Sequence, residues 1–572
     1  MKLKFFSHSR PMLGKRARPY RRDDLPPARR LRSNIADLFS SNVISGIRAQ
    51  ELFDDAADAG DETSAQLRSQ GLQGHEARNL RRKLMKHNMW PDSYKASCTV
   101  WNKKLQQEES TTISFLLPHE LLALIARVSD NDMIYDSAGL DPRSLDHLRA
   151  CEAIAGTRLV GLGLWGDGAP CNWDRTDSIE VFTINLPGQT GEFKKIRILL
   201  TGISKKQVVT SKTFNDMMEV VSWSLRHLAI GLHPRTRHDG TPWATSDSKR
   251  QRNSGKPLGV RGALVEVRGD WKFMKECFGF PAWNTESGIC WQCTCTPGTL
   301  RDVDADAAWR TERLTHWDVI HKIRLNGAPV SPLFSAPWVK TAIFRPDWLH
   351  AVDQGVAADF AGNVFWHLVK EGGLLPGNTQ KERCKNLWMR VQEFYDANQV
   401  GDRLQNLTIG MLRGKSGAPK LRSSAAACRA LVPFLRSLLS QAGLLDATNN
   451  VHTAMRAAAV ELNECYQALS SNSIFWEDIL RVSSRKFAAQ YVALERAHLG
   501  ENVWRVKPKM HLFLELCSDG SRPAMFWTYR DEDFGGSCAA WARRRGGLLR
   551  ASATSENLLS RFKMKSSVPR LR

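Results

Sequence analysis

The order of strand-like and helix-like segments between residues 157 and 278 constrains the fold more than any other feature of the sequence. Three short apolar runs with strand character are followed by a run with the apolar spacing of a helix, and then by a fourth strand. The pair Pro187-Gly188 marks the turn between the second and third strands. These segments are, in order, 157–165, 178–186, 193–203, 214–229 and 263–268.

Two of these strands lead into an aspartate that is flanked by glycine. Gly166-Asp167-Gly168 follows the first strand, and Gly269-Asp270 follows the fourth. Three strands, a helix and a fourth strand form the order of the ribonuclease-H-like fold, in which the first and fourth strands are adjacent and parallel. We therefore predict an α/β, ribonuclease-H-like mixed-sheet core that brings the two carboxylates together. The structural alternative is that Asp-Gly is a common turn pair and Gly-Asp a common helix start.

Carboxylates placed in this way suit phosphoryl transfer with two divalent ions. Such chemistry needs about three acids from separated segments, because Mg²⁺ (or Mn²⁺) prefers carboxylate and water oxygens. Asp167 and Asp270 are the first two candidates, and the third is expected in the acidic patch 530–534, just upstream of a predicted helix at 537–545. We select Glu532, although an acid near a helix start is also favoured by the helix dipole. The alternatives to Glu532 are Asp531, Asp533 and, as a fallback, Glu556.

A second kind of metal site is indicated by cysteine spacing. Cys290 and Cys293 form a C-x-x-C pair, with Cys295 two residues further on. Such a pair supplies two thiolates to one tetrahedral zinc, and two more ligands must come from elsewhere. Asp347 and His350 are three residues apart and could face one way on a turn or helix. The alternatives are buried thiols or a redox pair.

The succession of these motifs resembles the CACTA (En/Spm-like) and Kyakuja–Dileera–Zisupton transposases. In that group a DDE catalytic core carries a C-x-x-C pair and a [C/D]-x-x-H element after the second Asp, with the catalytic Glu beyond them. The resemblance covers roughly residues 156–545, and the Glu is matched loosely, through His511-Leu512 followed by Glu532. The positions that match the other elements are Asp167, Asp270, Cys290, Cys293, Asp347 and His350.

The resemblance implies a DNA nucleotidyltransferase that acts in the nucleus, with DNA and further copies of the chain as partners. Asp167, Asp270 and Glu532 would hold two Mg²⁺ ions for DNA nicking and strand transfer. The Cys pair and His350 would hold a structural zinc, with Asp347 either as the fourth ligand or as the residue that orients His350. The chain departs from the group because no Cys/His zinc-finger spacing precedes residue 151. A catalytically inactive, transposon-derived nucleic-acid-binding protein is therefore the alternative, and a zinc-stabilised scaffold for protein partners is a third interpretation.

The charge distribution agrees with a polyanionic partner. The chain carries 81 Lys and Arg against 59 Asp and Glu, a formal charge of +22, and residues 1–33 hold eleven bases and two acids. No signal peptide and no apolar run long enough to span a membrane is expected. The expected organisation is a basic disordered arm (1–33), a mainly helical region (34–155), a core with the Cys cluster (156–354), a helical insertion (355–502), and core completion with a basic tail (503–572).

Overall fold

The computed structural model describes residues 26–40, 43–68, 75–86, 89–130, 132–172, 176–414, 417–471, 475–518, 520–543 and 550–571. Within these ranges the protein is mixed α/β, with a small mixed sheet and a larger share of helix. The basic run at 15–22, an import patch or phosphate-binding arm in our prediction, lies outside the described residues. The strands are β1 Tyr94–Asn102, β2 Gln107–Phe115, β3 Val160–Pro170, β4 Ser178–Asn185, β5 Ile198–Ser204 and β6 Gly262–Arg268.

Helices make up most of the regular structure in the described part of the chain. They are α1 Pro27–Ser40, α2 Gly46–Asp58, α3 Glu62–Ala65, α4 Glu76–Lys86, α5 Pro118–Val128, α6 Pro142–Ala155, α7 Lys212–Ile230, α8 Ser248–Asn253, α9 Trp271–Phe278, α10 Ala308–Thr311, α11 His316–Leu325, α12 Ala357–Lys370, α13 Gln380–Ala397, α14 Ile409–Leu412, α15 Ala425–Leu439, α16 Asn450–Ser470, α17 Trp476–Ala497, α18 Pro508–Ser518, α19 Tyr529–Arg543 and α20 Ala551–Lys565.

The chain forms two compact units. The first, the sheet unit, comprises the described residues within 22–282, 314–345 and 528–572, and the second, the helical unit, comprises those within 283–313 and 346–527. The segment with Cys290 and Cys293, expected in the core at 156–354, therefore belongs to the helical unit. Residues 503–527, expected to complete the core, also belong to the helical unit, where 508–518 form α18.

The sheet unit contains a four-stranded sheet in the order β5-β4-β3-β6. β3 pairs antiparallel with β4 and parallel with β6, and α7 lies between β5 and β6 in the chain. Every segment predicted between 157 and 278 is present. β3 runs to Pro170, which pairs with Ser178, so Asp167 lies within the strand and not after its end as expected.

Consecutive residues of β3 face opposite sides of the sheet. Trp165 is buried against α19, where its ring lies 2.9 Å from the position of a Cβ on Gly535. On the other side, a Cβ on Gly166 would lie 2.4 Å from the ring of Phe273 in α9. Asp167 therefore shares the side of the sheet that α19 covers.

The N-terminal part of the sheet unit differs from the sequence prediction in two ways. Residues 27–33, expected in a disordered arm, form the first turns of α1, because Ile35 and Phe39 further along this helix pack with Phe53 in a small apolar core. Residues 94–115, expected to be mainly helical, form the antiparallel β1–β2 hairpin. Buried and exposed positions alternate at the start of β1, and the sequence prediction missed this period of two, although apolar and polar residues alternate there.

The helical unit has an aromatic core. Phe487 of α17 lies 5.4 Å from Phe360 of α12 and 5.8 Å from Phe513 of α18, measured between ring centroids. Trp348 packs edge-on against Tyr466 of α16 at 5.6 Å. These contacts join helices from distant parts of the chain.

Among the described residues, no helix combines the length and the apolar character that crossing a membrane would require.

Candidate functional site

Two predicted carboxylates meet on the α19 side of the sheet unit. Carboxylate oxygens of Asp167 in β3 and Glu532 in α19 lie within 4.8 Å of each other, although 365 positions separate the two residues in the sequence. Both side chains are of intermediate exposure. Two acids at this separation can share one divalent cation, which would offset their mutual repulsion.

The position of Glu532 is set by its neighbour in the sequence, Asp531. The Asp531 carboxylate is fully buried, and it accepts hydrogen bonds from Arg197, which precedes β5, and from Arg268, which ends β6. The Nη2–Oδ2 distance to Arg197 is 3.0 Å and the Nη2–Oδ1 distance to Arg268 is 3.2 Å. This ion-pair network fixes the first turn of α19 to the sheet. Gly535 one turn later allows close approach to Trp165.

These contacts distinguish between the acids considered for the third position. Asp531 is occupied by two buried arginines, and Asp533 is exposed. Glu556 is an exposed residue of α20 that accepts a hydrogen bond from Ser114 at 2.8 Å. Of the four, Glu532 is the acid that lies beside Asp167. Helix α19 begins at Tyr529, eight residues earlier than expected. Asp531 and Glu532 therefore lie in its first turn, where the helix dipole favours acidic side chains.

Asp270 is the N-cap of α9. Its Oδ1 accepts the backbone N–H of Phe273 at 2.6 Å, so the helix-start alternative is also realised. The adjacent backbone lies close to β3, because a Cβ on Gly269 would be 2.7 Å from the carbonyl oxygen of Gly166. Asp270 is not part of the close pair formed by Asp167 and Glu532, but it lies at the end of the strand paired with β3.

A different group of potential ligands lies inside the helical unit. Ligand atoms of Cys290, Cys293, His511 and Glu515 all lie within 4.8 Å of one another, and all four residues are buried. The Nε2 atom of His511 is 3.2 Å from the Cys293 sulfur and 3.4 Å from a Glu515 oxygen. Arg313 holds both oxygens of Glu515 at 2.8 Å.

The pKa values in this group shift in opposite directions, because its members share protons through hydrogen bonds. Burial raises the pKa of Glu515, but hydrogen bonds from His511 and Arg313 outweigh it and lower the pKa to about 2. Burial likewise raises the pKa of Cys290, whereas hydrogen bonds from Cys293 and His511 lower it to about 6. The hydrogen bond that lowers the pKa of Cys290 raises the pKa of Cys293. Burial lowers the pKa of His511, but hydrogen bonds to Cys290 and Glu515 outweigh it and raise the pKa.

Asp347 and His350 are not members of this four-residue group. The Asp347 carboxylate is buried, and its Oδ2 accepts from the backbone N–H of His350 at 3.1 Å and lies 2.7 Å from Nδ1 of the same residue. Of the two roles considered for Asp347, orienting His350 matches this contact.

Sequence reasoning missed His511 and Glu515 as potential ligands. The signal was present, because the two residues are four apart in α18 and therefore face the same side of a helix. It was obscured because residues 503–572 were expected to complete the core.

The helical unit also has a basic concave surface, which encloses a volume of about 570 Å³. Trp283, which is 63% exposed, lines it together with Lys420, Arg422 and Arg505. The salt bridges among the described residues include none to these three cations, whereas the nearby Lys507 pairs with Asp359 at 2.7 Å. Cations of this kind beside an exposed aromatic ring suit contact with a nucleic-acid strand.

The comparisons with known proteins leave the family open. No protein-family model matches the sequence, and no curated protein matches it significantly.

Proposed function

We propose that the protein is a transposase-like DNA nucleotidyltransferase that nicks DNA and transfers strands with two divalent ions. The observation that supports this most directly is the approach of Asp167 and Glu532 to within 4.8 Å on one side of the sheet. The strand order β5-β4-β3-β6, with α7 before β6, is the order expected of a ribonuclease-H-like core. The order of motifs in the sequence adds the resemblance to CACTA and Kyakuja–Dileera–Zisupton transposases.

The residues have separable roles in this proposal. Asp167 and Glu532 would hold one Mg²⁺ or Mn²⁺ between them, and Asp270 would contribute at the end of β6 through the carboxylate oxygen that does not cap α9. Divalent ions, when bound, activate the attacking oxygen and stabilise the leaving oxygen. Asp531 would act as a positioning residue, because it anchors the turn that carries Glu532.

The proposal is tested by incubating the purified full chain with supercoiled plasmid DNA. We expect conversion to the nicked form with Mg²⁺ or Mn²⁺, and none when the divalent ions are chelated. Extension to strand transfer is measured with a labelled duplex that has a free 3′-hydroxyl. Repeated preparations with no divalent-dependent nicking of plasmid or of short duplexes would contradict the proposal.

A catalytically inactive nucleic-acid-binding protein is the second candidate. Two observations favour it, the use of Asp270 as a helix cap and the basic concave surface of the helical unit. This candidate predicts DNA binding that needs no divalent ion and produces no cleavage.

Both candidates predict DNA binding that weakens steeply with salt. A protein with 6–10 phosphate contacts loses about 10³–10⁵ in affinity between roughly 50 and 200 mM salt. Fluorescence anisotropy with a labelled oligonucleotide measures this slope. Arg422→Glu combined with Arg505→Glu should reduce this slope. Lys381→Glu combined with Lys385→Glu, at two exposed positions on α13, changes the charge by the same amount and serves as the control. A slope near zero would argue against DNA as the partner.

A further inference from the structure

The buried group in the helical unit has the dimensions of a tetrahedral metal site. Zinc bonds of about 2.0–2.3 Å to nitrogen, oxygen and sulfur place the ligand atoms of a tetrahedron roughly 3.3–3.8 Å apart. The distances from His511 Nε2 to the sulfur of Cys293 and to the oxygen of Glu515, 3.2 and 3.4 Å, are close to this range. All four side chains are at most 2% exposed, so the site is closed to solvent.

The C-x-x-C turn presents both sulfur atoms to the same point. The backbone N–H of Gln292 donates to the sulfur of Cys290 at 3.3 Å, which stabilises a thiolate there. The backbone N–H of Ile289 donates to the carbonyl oxygen of Cys295 at 2.9 Å and closes the loop around the pair. Neither Cys290 nor Cys293 is in a disulfide.

Charge balance favours a divalent ion at this point. Two thiolates and one carboxylate carry three negative charges, and the neutral imidazole of His511 adds none. A divalent ion and the guanidinium of Arg313, which is itself 39% exposed, together supply three positive charges, so the set is neutral. With the ion bound, no buried charge is left uncompensated, and an uncompensated buried charge would be costly.

The sulfur and nitrogen ligand atoms favour zinc over Mg²⁺ and Ca²⁺. Thiolate and imidazole are ligands for zinc and other soft or borderline ions, whereas Mg²⁺ and Ca²⁺ are bound through oxygen. Four protein ligands leave no open position, which is typical of structural zinc sites and not of catalytic ones.

We propose that Cys290, Cys293, His511 and Glu515 bind one structural zinc ion, with Arg313 holding Glu515 in place. This ligand set replaces the one expected from sequence, because Asp347 and His350 pair with each other and are not members of the group. The site joins the segment 283–313 to α18, which begins about 200 residues later. It goes beyond the proposed function and does not depend on DNA cleavage.

Cys295 is the nearest rival ligand. It lies within hydrogen-bonding reach of His511, but its sulfur contacts the carbonyl oxygen of Thr296 at 3.6 Å and the hydroxyl of Thr299 at 3.7 Å. It is not among the four residues whose ligand atoms are mutually close. We therefore assign it a supporting position beside the site.

The test is the zinc content of the purified full chain, measured by elemental analysis after expression in zinc-supplemented medium and gel filtration. We expect one zinc per chain in the wild-type protein and in Cys295→Ser, Asp347→Asn and His350→Ala. Cys290→Ser, Cys293→Ser, His511→Ala and Glu515→Ala should each lose most of the metal. Zinc retained in His511→Ala but lost in His350→Ala, or a metal-free wild-type protein, would overturn the assignment.

A second measurement uses the wild-type protein alone, so its result does not depend on whether the variants fold. Cobalt(II) exchanged into the wild-type protein should give the intense visible bands of a tetrahedral site and a thiolate-to-metal charge-transfer band. An octahedral spectrum, or none, would contradict the proposal. Neither measurement involves DNA, so a negative nicking result and a negative zinc result are separate outcomes.

Discussion

Asp167→Asn and Glu532→Gln are each expected to reduce divalent-dependent DNA nicking by at least about 10²–10³-fold, the loss seen when a preorganised electrostatic contact is removed from an active site. Each change removes one negative charge from the pair of carboxylates while nearly preserving side-chain volume. Initial rates of plasmid nicking at several Mg²⁺ concentrations provide the measurement. Asp533→Asn, one residue from Glu532 and exposed, is the matched control and should nick at the parental rate.

Asp270→Asn separates metal binding by Asp270 from its role as the N-cap of α9. Asparagine caps helices about as well as aspartate, so the start of α9 should be preserved while the charge is lost. If Asp270 binds metal, nicking should fall to the level of Asp167→Asn, with an unchanged melting temperature. Nicking at the parental rate in both Asp167→Asn and Asp270→Asn would exclude the assigned site.

Asp531→Asn should lower the free energy of unfolding by about 3–5 kcal/mol, the usual cost of removing one partner from a buried ion pair. The variant leaves Arg197 and Arg268 buried without the carboxylate that they share. Urea denaturation, followed by circular dichroism and by tryptophan fluorescence, measures the change. The exposed Asp533→Asn should stay within about 0.5 kcal/mol of the parent.

The same variants distinguish anchoring from catalysis. Asp531→Asn should lose nicking activity together with stability, whereas Glu532→Gln should lose activity and keep its stability. An Asp531→Asn protein as stable as the parent would show that the two arginines are compensated in another way. The proposed positioning of α19 would then be wrong.

Much of the sheet unit could be predicted from sequence because its strands carry their own signal. The apolar runs at 178–186 and 263–268 correspond closely to β4 and β6. The β1–β2 hairpin was missed because it has no continuous apolar run: Lys95, Ser97 and Thr99 alternate with buried positions, which is the pattern of a half-buried strand. Its stability comes from tertiary contacts such as the hydrogen bond from Thr213 to the carbonyl oxygen of Thr99.

The parts of the candidate sites that lie close together in the sequence could be predicted, and the parts that only the fold brings together could not. The C-x-x-C pair is visible as a spacing, but its partners His511 and Glu515 follow about 200 residues later, and only the fold brings them close. Choosing Glu532 over Asp531 likewise depends on which acid contacts Arg197 and Arg268, and adjacent acids carry no such information in the sequence.

The ion pair between Arg268 and Asp531 has a consequence for synthesis in the cell. The two residues are 263 positions apart, so at about 5–20 residues per second the ribosome needs on the order of tens of seconds to make the second after the first. During that interval the nascent sheet lacks the carboxylate for its two arginines, and it lacks α19 and α20. The sheet unit can therefore reach its final state only after α19 and α20 have been synthesised, and nascent chains should depend on chaperones until then.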